Sequence, residues 1–358
     1  MGAAPLTASA SLDRSVVDRD ALTELLEASG LVEQALAQQV GLLAGRFPAL
    51  VQRDLFLEFE FGEEAVPAGF GLGFSAGTLD HFRVVRHPFL TTALGRSLEA
   101  AFADDPFAAD HREHLNLFGD SDPDWVEYDV CEGRVAATPF VFFRLPSRLR
   151  CLAGPEDVRE LCAILPGRAT NGVFERLLDR IVAGGSACPY RIGVAKSRGA
   201  GWWRAIITDI DCEQVVAALE GLGADNYKGP LELASRLYQR GMDRPGACFA
   251  LSIDVHDDRI TAVDVECPFL FRIADPNARA GPLSHYAREI TAIGIVSAAT
   301  AAWIEENVVR DVTMPHGGPS LRIMLHHLKF RLFGEPHLRT KAYLHLGLGS
   351  DPVATPSA

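Results

Sequence analysis

The chain has 358 residues, is 48% hydrophobic and carries a formal charge of −13. That length supports one large domain or two ordinary ones with ample core, and the acidic balance excludes the basic footprint that nucleic acid requires. Seven cysteines stand singly, without Cys-x-x-Cys or metal-ligand spacing, and read as reduced structural residues of a cytoplasmic protein. Residues 1–10 lack the basic block and apolar run of a secretory leader. The longest uncharged apolar run, residues 290–304, is too short to span a bilayer.

In chain order, residues 1–14 and 350–358 are small and polar and read as frayed tails around a single domain over residues 15–349. Between the tails one pattern recurs five times: a helix, then two strands joined by a short turn. The first helix is expected over residues 17–45, from Leu22, Leu25, Leu26, Val32, Leu36 and Val40 at helical spacing, and its hairpin pairs residues 55–61 with 68–75. A helix over residues 89–102 precedes strands at 125–130 and 139–145. Helices at 155–164 and 172–183 lead to strands 190–196 and 202–207. Asp211 and Gln214 have capping-box spacing and start a helix to Leu222, with another over 230–240. Strands 248–256 and 259–267 follow, then a helix over 284–307.

The last hairpin, residues 327–345, is the most informative. His327, Lys329 and Arg331 alternate with Leu328, Phe330 and Leu332, and Arg339, Lys341, Tyr343 and His345 alternate with Thr340, Ala342 and Leu344. Period two puts a cationic row on one face and an apolar row on the other. By that parity His327 joins the polar row, while its neighbour His326 packs toward the helices.

Antiparallel pairs in this number are expected to close into a ten-stranded α/β barrel ringed by helices, which removes the sheet edges. The apolar faces then meet the helices and the polar faces line a lumen. Glu58, Glu60 and Glu127 would bring carboxylates into it, with Asp254, Asp264 and Glu266. Lys329, Arg331, Lys341 and Tyr343 would bring cations and a hydroxyl, supported by Arg339, Arg191 and Arg204. Trp125, Phe140 and Trp202 would bring aromatic faces. Several cations and hydroxyl donors at fixed positions suit a diphosphate. Aromatic faces suit a carbocation, and a carboxylate suits removal of a proton from an alkylated ring.

These features resemble the aromatic prenyltransferase barrel, built of five αββα repeats, over roughly residues 50–348. Leu338-Arg339-Thr340-Lys341-Ala342-Tyr343-Leu344 is similar to the Lys-x-Tyr strands with which that superfamily holds diphosphate, and Ala250-Leu251-Ser252-Ile253-Asp254 resembles the start of another repeat. The corresponding strands of the other hairpins, such as Phe70-Gly71-Leu72-Gly73-Phe74 and Trp202-Trp203-Arg204-Ala205, do not carry Lys-x-Tyr. The resemblance implies prenyl transfer from an allylic diphosphate to an aromatic small molecule or peptide residue, by a monomer, without a required cofactor. Magnesium could bridge the diphosphate and a lumen carboxylate. A terpene cyclase or other tailoring enzyme on the same barrel, and a non-catalytic ligand- or peptide-binding barrel, stay open beside it.

Other motifs weigh less. Gly73-Phe74-Ser75-Ala76-Gly77 has the spacing of a nucleophile elbow but lacks a preceding parallel strand. His111 and His114 lie in an Asp-rich stretch without an evident third ligand. The basic hairpin could also be an edge strand guarded by charge.

Overall fold

A computed structural model describes residues 19–44, 54–61, 65–73, 123–136, 140–145, 149–165, 171–195, 198, 202–224, 227–228, 231–232, 249–256, 259–268, 288, 291–292, 296–307, 309–314, 320–334 and 339–349. The expected helix at 89–102, most of that at 230–240, most of the first half of that at 284–307, both tails, the His111–His114 stretch and most of the elbow motif lie outside the described residues.

Helices α1 (Arg19–Ser29) and α2 (Gln34–Ala44) replace the single long helix expected at the start. Gly30 breaks it by adopting φ +66, a left-handed conformation cheap only for glycine. The Ser29 hydroxyl bridges the break, donating to Leu26 O at 2.6 Å and accepting from Leu31 N at 3.1 Å. Strands β1 (Asp54–Phe61), β2 (Ala65–Gly73), β3 (Pro123–Cys131), β4 (Arg134–Val135) and β5 (Phe140–Arg144) follow. Next come α3 (Pro155–Ile164), α4 (Asn171–Ala183), β6 (Cys188–Ala195) and β7 (Trp202–Ile210). Helix α5 (Cys212–Gly221) starts on the expected capping box, with Asp211 accepting from Gln214 N and the Gln214 side chain accepting from Asp211 N, both at 2.9 Å. The chain finishes with β8 (Phe249–His256), β9 (Arg259–Pro268), α6 (Ala298–Glu306), β10 (Val309–Thr313), β11 (Ser320–Phe333) and β12 (Thr340–Gly349).

The described strands form a single curled antiparallel sheet of twelve, in the order β10-β11-β12-β1-β2-β3-β5-β6-β7-β8-β9, with β4 beside β3. One end of this path, β9, pairs with β11 rather than with the other end, β10, and over only part of that strand. Residues 327–333 of β11 pair with β9, while residues 320–324 of the same edge pair with β10. The expected closed ten-stranded barrel is corrected accordingly: the curled sheet has twelve strands and is open between β9 and β10 among the described residues. Strand β10, unseen in the sequence pattern because Val309–Thr313 is half-exposed and charged, takes the stretch of β11 that β9 does not reach.

The core lies outside the curl. Leu55, Leu57 and Phe59 of β1, Trp203 and Ile207 of β7 and Val263 and Val265 of β9 share one apolar cluster with Leu22 and Leu25 of α1 and Leu177 and Ile181 of α4. Trp303 of α6 packs on Phe59 at 4.7 Å between ring centroids, and Phe174 of α4 lies edge-on to Trp203 at 4.9 Å. The polar parity is thereby turned inward, as expected. Burial of apolar surface against helices contributes roughly 25 cal/mol per Å², and one parity of each strand supplies it. Among the described helices none is long and apolar enough to cross a membrane.

Candidate active site

The register places the sequence-predicted residues together. Glu58 lies opposite Tyr343, Glu60 opposite Lys341, and Phe56 opposite His345. On the other side of β12, Lys329 faces Lys341, and Lys329 and Arg331 in turn face Glu266 and Asp264 of β9. Glu127 faces Phe140, and Arg204 lies between Gly193 and Asp254. Each of these side chains has the inward parity of its strand.

The cations in this interior are held by carboxylates. Lys341 donates to Glu58, with both side chains buried, and Arg339 donates to Glu60 nearer the rim. Arg331 Nε donates to Asp264 at 2.8 Å. Lys329 Nζ lies 3.7 Å from Asp264 and 3.4 Å from Glu266, and it donates to Ser252 Oγ at 2.9 Å. Arg204 holds Asp254 in a two-point bond at 2.5 and 3.1 Å and reaches Glu127 at 3.9 Å. Such pairs satisfy charge in a low-dielectric interior, where an unpaired ion would be costly.

Ionisation follows from these partners. Burial works against the Glu58 carboxylate, but Lys341, a Tyr343 hydrogen bond and Lys329 together hold it well below the usual range. Glu127 moves the other way: burial, reinforced by the Glu58 charge, outweighs Arg204 and holds it toward its protonated form. Burial and the surrounding carboxylates push the Tyr343 phenol well above its ordinary value, so it remains a hydroxyl donor. Burial raises the carboxyls of Asp264 and Glu266, yet Lys329, with Arg331 for Asp264, carries both below the ordinary range.

Aromatic rings line the adjoining wall. Phe140 stacks on Phe142 at 4.7 Å and meets Trp202 edge-on at 5.6 Å, while Trp125 lies 4.7 Å from Phe56. Phe140 and Phe142 form a small cluster of their own with Trp125, Trp202 and Ile206, apart from the outer core. Gly193 is the bed for two of these rings: a Cβ there would come within 2.5 Å of Phe142 and 2.6 Å of Phe140. Cations already sit on the rings. The Arg191 guanidinium lies 5.6 Å from the Trp125 centroid, and Arg204 lies 5.1 Å from that of Phe140.

Sequence reasoning missed three residues. Arg198, in the β6–β7 connection, bonds Asp129 at 3.0 and 2.5 Å and stacks over Trp202 at 4.8 Å; its position between two expected strands gave no parity signal. Tyr190 is the extra residue of a bulge between Pro189 and Arg191 and lies under the Arg191 guanidinium at 4.5 Å. The third, His326, overturns an expectation. A bulge between Leu325 and His327 makes it an extra residue against β12. Both histidines therefore face inward, His326 edge-on to Phe56 at 4.8 Å and His327 stacked on Tyr343 at 4.1 Å. Period-two counting fails across a bulge, and nothing in the local sequence marks this one.

Near one end of the curl the interior opens into a cavity of about 750 Å³, lined by residues that include Glu60, Asp129, Arg198, Trp202, Asp254, Arg331, Arg339 and Lys341. That volume is within the range of ordinary small-molecule sites. Among the described residues no group of three or more His, Cys, Asp or Glu side chains is arranged to hold a metal ion. The strand preceding the Gly-x-Ser-x-Gly motif, β2, is antiparallel to both of its neighbours, so the parallel strand that a nucleophile elbow requires does not precede the motif.

No protein-family model matches the chain, and no curated protein does either. Solved structures do. The 6-dimethylallyltryptophan synthase from Micromonospora olivasterospora, in complex with DMASPP and Trp, superposes with a TM-score of 0.59 at 15% identity, covering 93% of this chain and 97% of that one. The 5-dimethylallyltryptophan synthase from Streptomyces coelicolor gives 0.56 at 13% identity, with coverage of 94% and 98%. The fold is that of the aromatic prenyltransferase barrel, in a divergent form.

Proposed function

We propose that the chain transfers a prenyl group from an allylic diphosphate to an aromatic acceptor, either a small molecule or an aromatic residue of a peptide. One observation carries this reading: a buried Lys-x-Tyr row, with Lys329 and Arg331 beside it, adjoins an aromatic wall inside one lumen. The complex of a structural neighbour with DMASPP and Trp supports the same substrate kind. Lys329, Arg331, Lys341 and Tyr343 would hold the diphosphate, with Arg339, Arg191 and Arg204 in support. Trp125, Phe140 and Trp202 would shield the cation once the C–O bond breaks; guanidinium groups resting on these faces support that role. Glu58 and Glu60 are tied to Lys341 and Arg339 and Glu127 leans toward its protonated form, so each would act on the ring proton only after an ion pair opens or a proton leaves.

Asp264 and Glu266 are paired with Lys329 and Arg331 in the lumen. The reaction is proposed to require no metal, with magnesium possible as a bridge between the diphosphate and a lumen carboxylate, and activity that survives a chelator is the expected result. The chain would act as a monomer in the cytoplasm.

A second reading rests on those same ion pairs. A lumen whose cations are already neutralised also suits retention of a zwitterionic or uncharged ligand without turnover. Incubating the protein with dimethylallyl diphosphate and tryptophan or aromatic peptides, with mass detection of product, separates the two. Prenylated product is expected; binding without product favours the second reading.

A further inference from the structure

The bulge in β11 turns two consecutive histidines into the lumen and brings His326 Nδ1 to 2.7 Å from His327 Nδ1. At that distance one ring donates its N–H to the lone pair of the other. The pair therefore holds one bridging proton and leaves, on its outer nitrogens, one lone pair and one N–H. His326 lies edge-on to Phe56, which is in contact with Trp125 and His345, whereas His327 is stacked on the Tyr343 ring. One member thus touches the aromatic wall, and the other touches the Lys-x-Tyr row.

We infer that the His326–His327 pair is the proton acceptor of the lumen, relaying the ring proton that an alkylated aromatic acceptor must lose. The inference rests on the prenyl-transfer reading. The allylic C–O bond breaks and its electron pair leaves with the diphosphate. The new C–C bond takes a π pair from the acceptor ring. The ring C–H proton then moves to the Nε2 lone pair of the histidine that carries the bridging hydrogen. That hydrogen passes to the partner's Nδ1, and the partner's Nε2 proton is released. The balance requires no oxidant or reductant.

Charged and titratable groups surround the pair. Glu58 comes from β1, Arg191 from β6, Glu266 from β9, Lys329 from β11, and Tyr343 and His345 from β12. Burial, with Lys329 and Arg191, outweighs the Glu266 and Glu58 carboxylates and lowers His327 from 6.5 to about 4. The imidazole is therefore neutral near neutral pH, with its lone pair available. The carboxylates nearby are less suited, being either ion-paired or inclined to protonation.

The test uses the full chain, dimethylallyl diphosphate and tryptophan, with His327→Gln and His327→Ala. The expected result is DMASPP affinity within about twofold of wild type and a kcat lower by about 100-fold, the scale of positioned acid–base groups. The acid limb of the pH profile should be displaced, and imidazole should restore the alanine variant. Both variants alkylating at the wild-type rate with an unchanged acid limb would overturn the relay. A wild type that binds no DMASPP overturns the prenyl-transfer reading itself. If wild type binds but does not alkylate tryptophan, nitrogen-15 spectra of labelled histidines decide: one bridging proton shared by the two rings supports the pair, and two independently titrating rings remove it.

Discussion

Glu58 and Glu127 are separated across the lumen wall only by the glycine-bearing strand β2, yet they ionise in opposite directions. Glu58 has Lys341, and Glu127 has a longer contact to Arg204. Because the folded-state value of Glu127 is raised, the native chain binds more protons than the unfolded chain from the ordinary value of 4.5 upward. Stability contributed by that group falls as pH rises through this window. Glu127→Gln should therefore raise the urea midpoint at neutral pH, and the gain should shrink toward pH 4, measured as paired unfolding curves. For Glu58 the sign reverses: its contribution is present above the ordinary carboxylate range and is lost in acid. Truncating Lys341 alone strands the Glu58 carboxylate in the interior, at a cost of about 3–5 kcal/mol. The double variant Lys341→Met with Glu58→Gln should recover most of that loss, and a double-mutant cycle in urea measures it. The cationic row was legible because Lys329, Arg331, Lys341 and Tyr343 follow strict alternation. Its carboxylate partners were legible as lumen residues but not as ion pairs, since partner choice depends on register between strands distant in sequence.

At the scale of elements, the described hairpins and the helices α3, α4 and α5 fall close to where the sequence pattern places them. Alternation identifies β8 and β9, and the Asp211–Gln214 capping box marks the start of α5 within a residue. The break at Gly30 and the bulge at His326 were not legible, because each depends on a single backbone conformation that tertiary packing selects. Gly334 is another such position and it guards the seam. It follows β11 at φ +93, and a Cβ there would lie 2.1 Å from the Thr261 carbonyl oxygen on β9. A side chain would force β11 and β9 apart where they pair. Gly334→Ala should lower the melting temperature and accelerate amide exchange in residues 259–265 and 327–333 ahead of the rest of the sheet. Uniform exchange across all strands would contradict this role for the turn.

For the whole molecule, the determining feature is the inversion of the usual sheet. Apolar faces look outward to helices, and the polar faces converge on an interior that adjoins a cavity of about 750 Å³. That inversion was readable from five helix–hairpin units, since amphipathic helices and half-polar strands have few other ways to cover each other. The shared edge of β11 was not, because the half-exposed strand β10 has no apolar pattern to announce it. The central claim is that this interior receives an allylic diphosphate by exchanging carboxylate partners for phosphate oxygens. Titration calorimetry of the intact chain with DMASPP, in parallel with Lys341→Met/Glu58→Gln, tests it most directly. Saturable one-to-one binding that weakens at least tenfold in the double variant is the result expected. Absence of binding by the wild type, or equal binding by both proteins, would contradict the account.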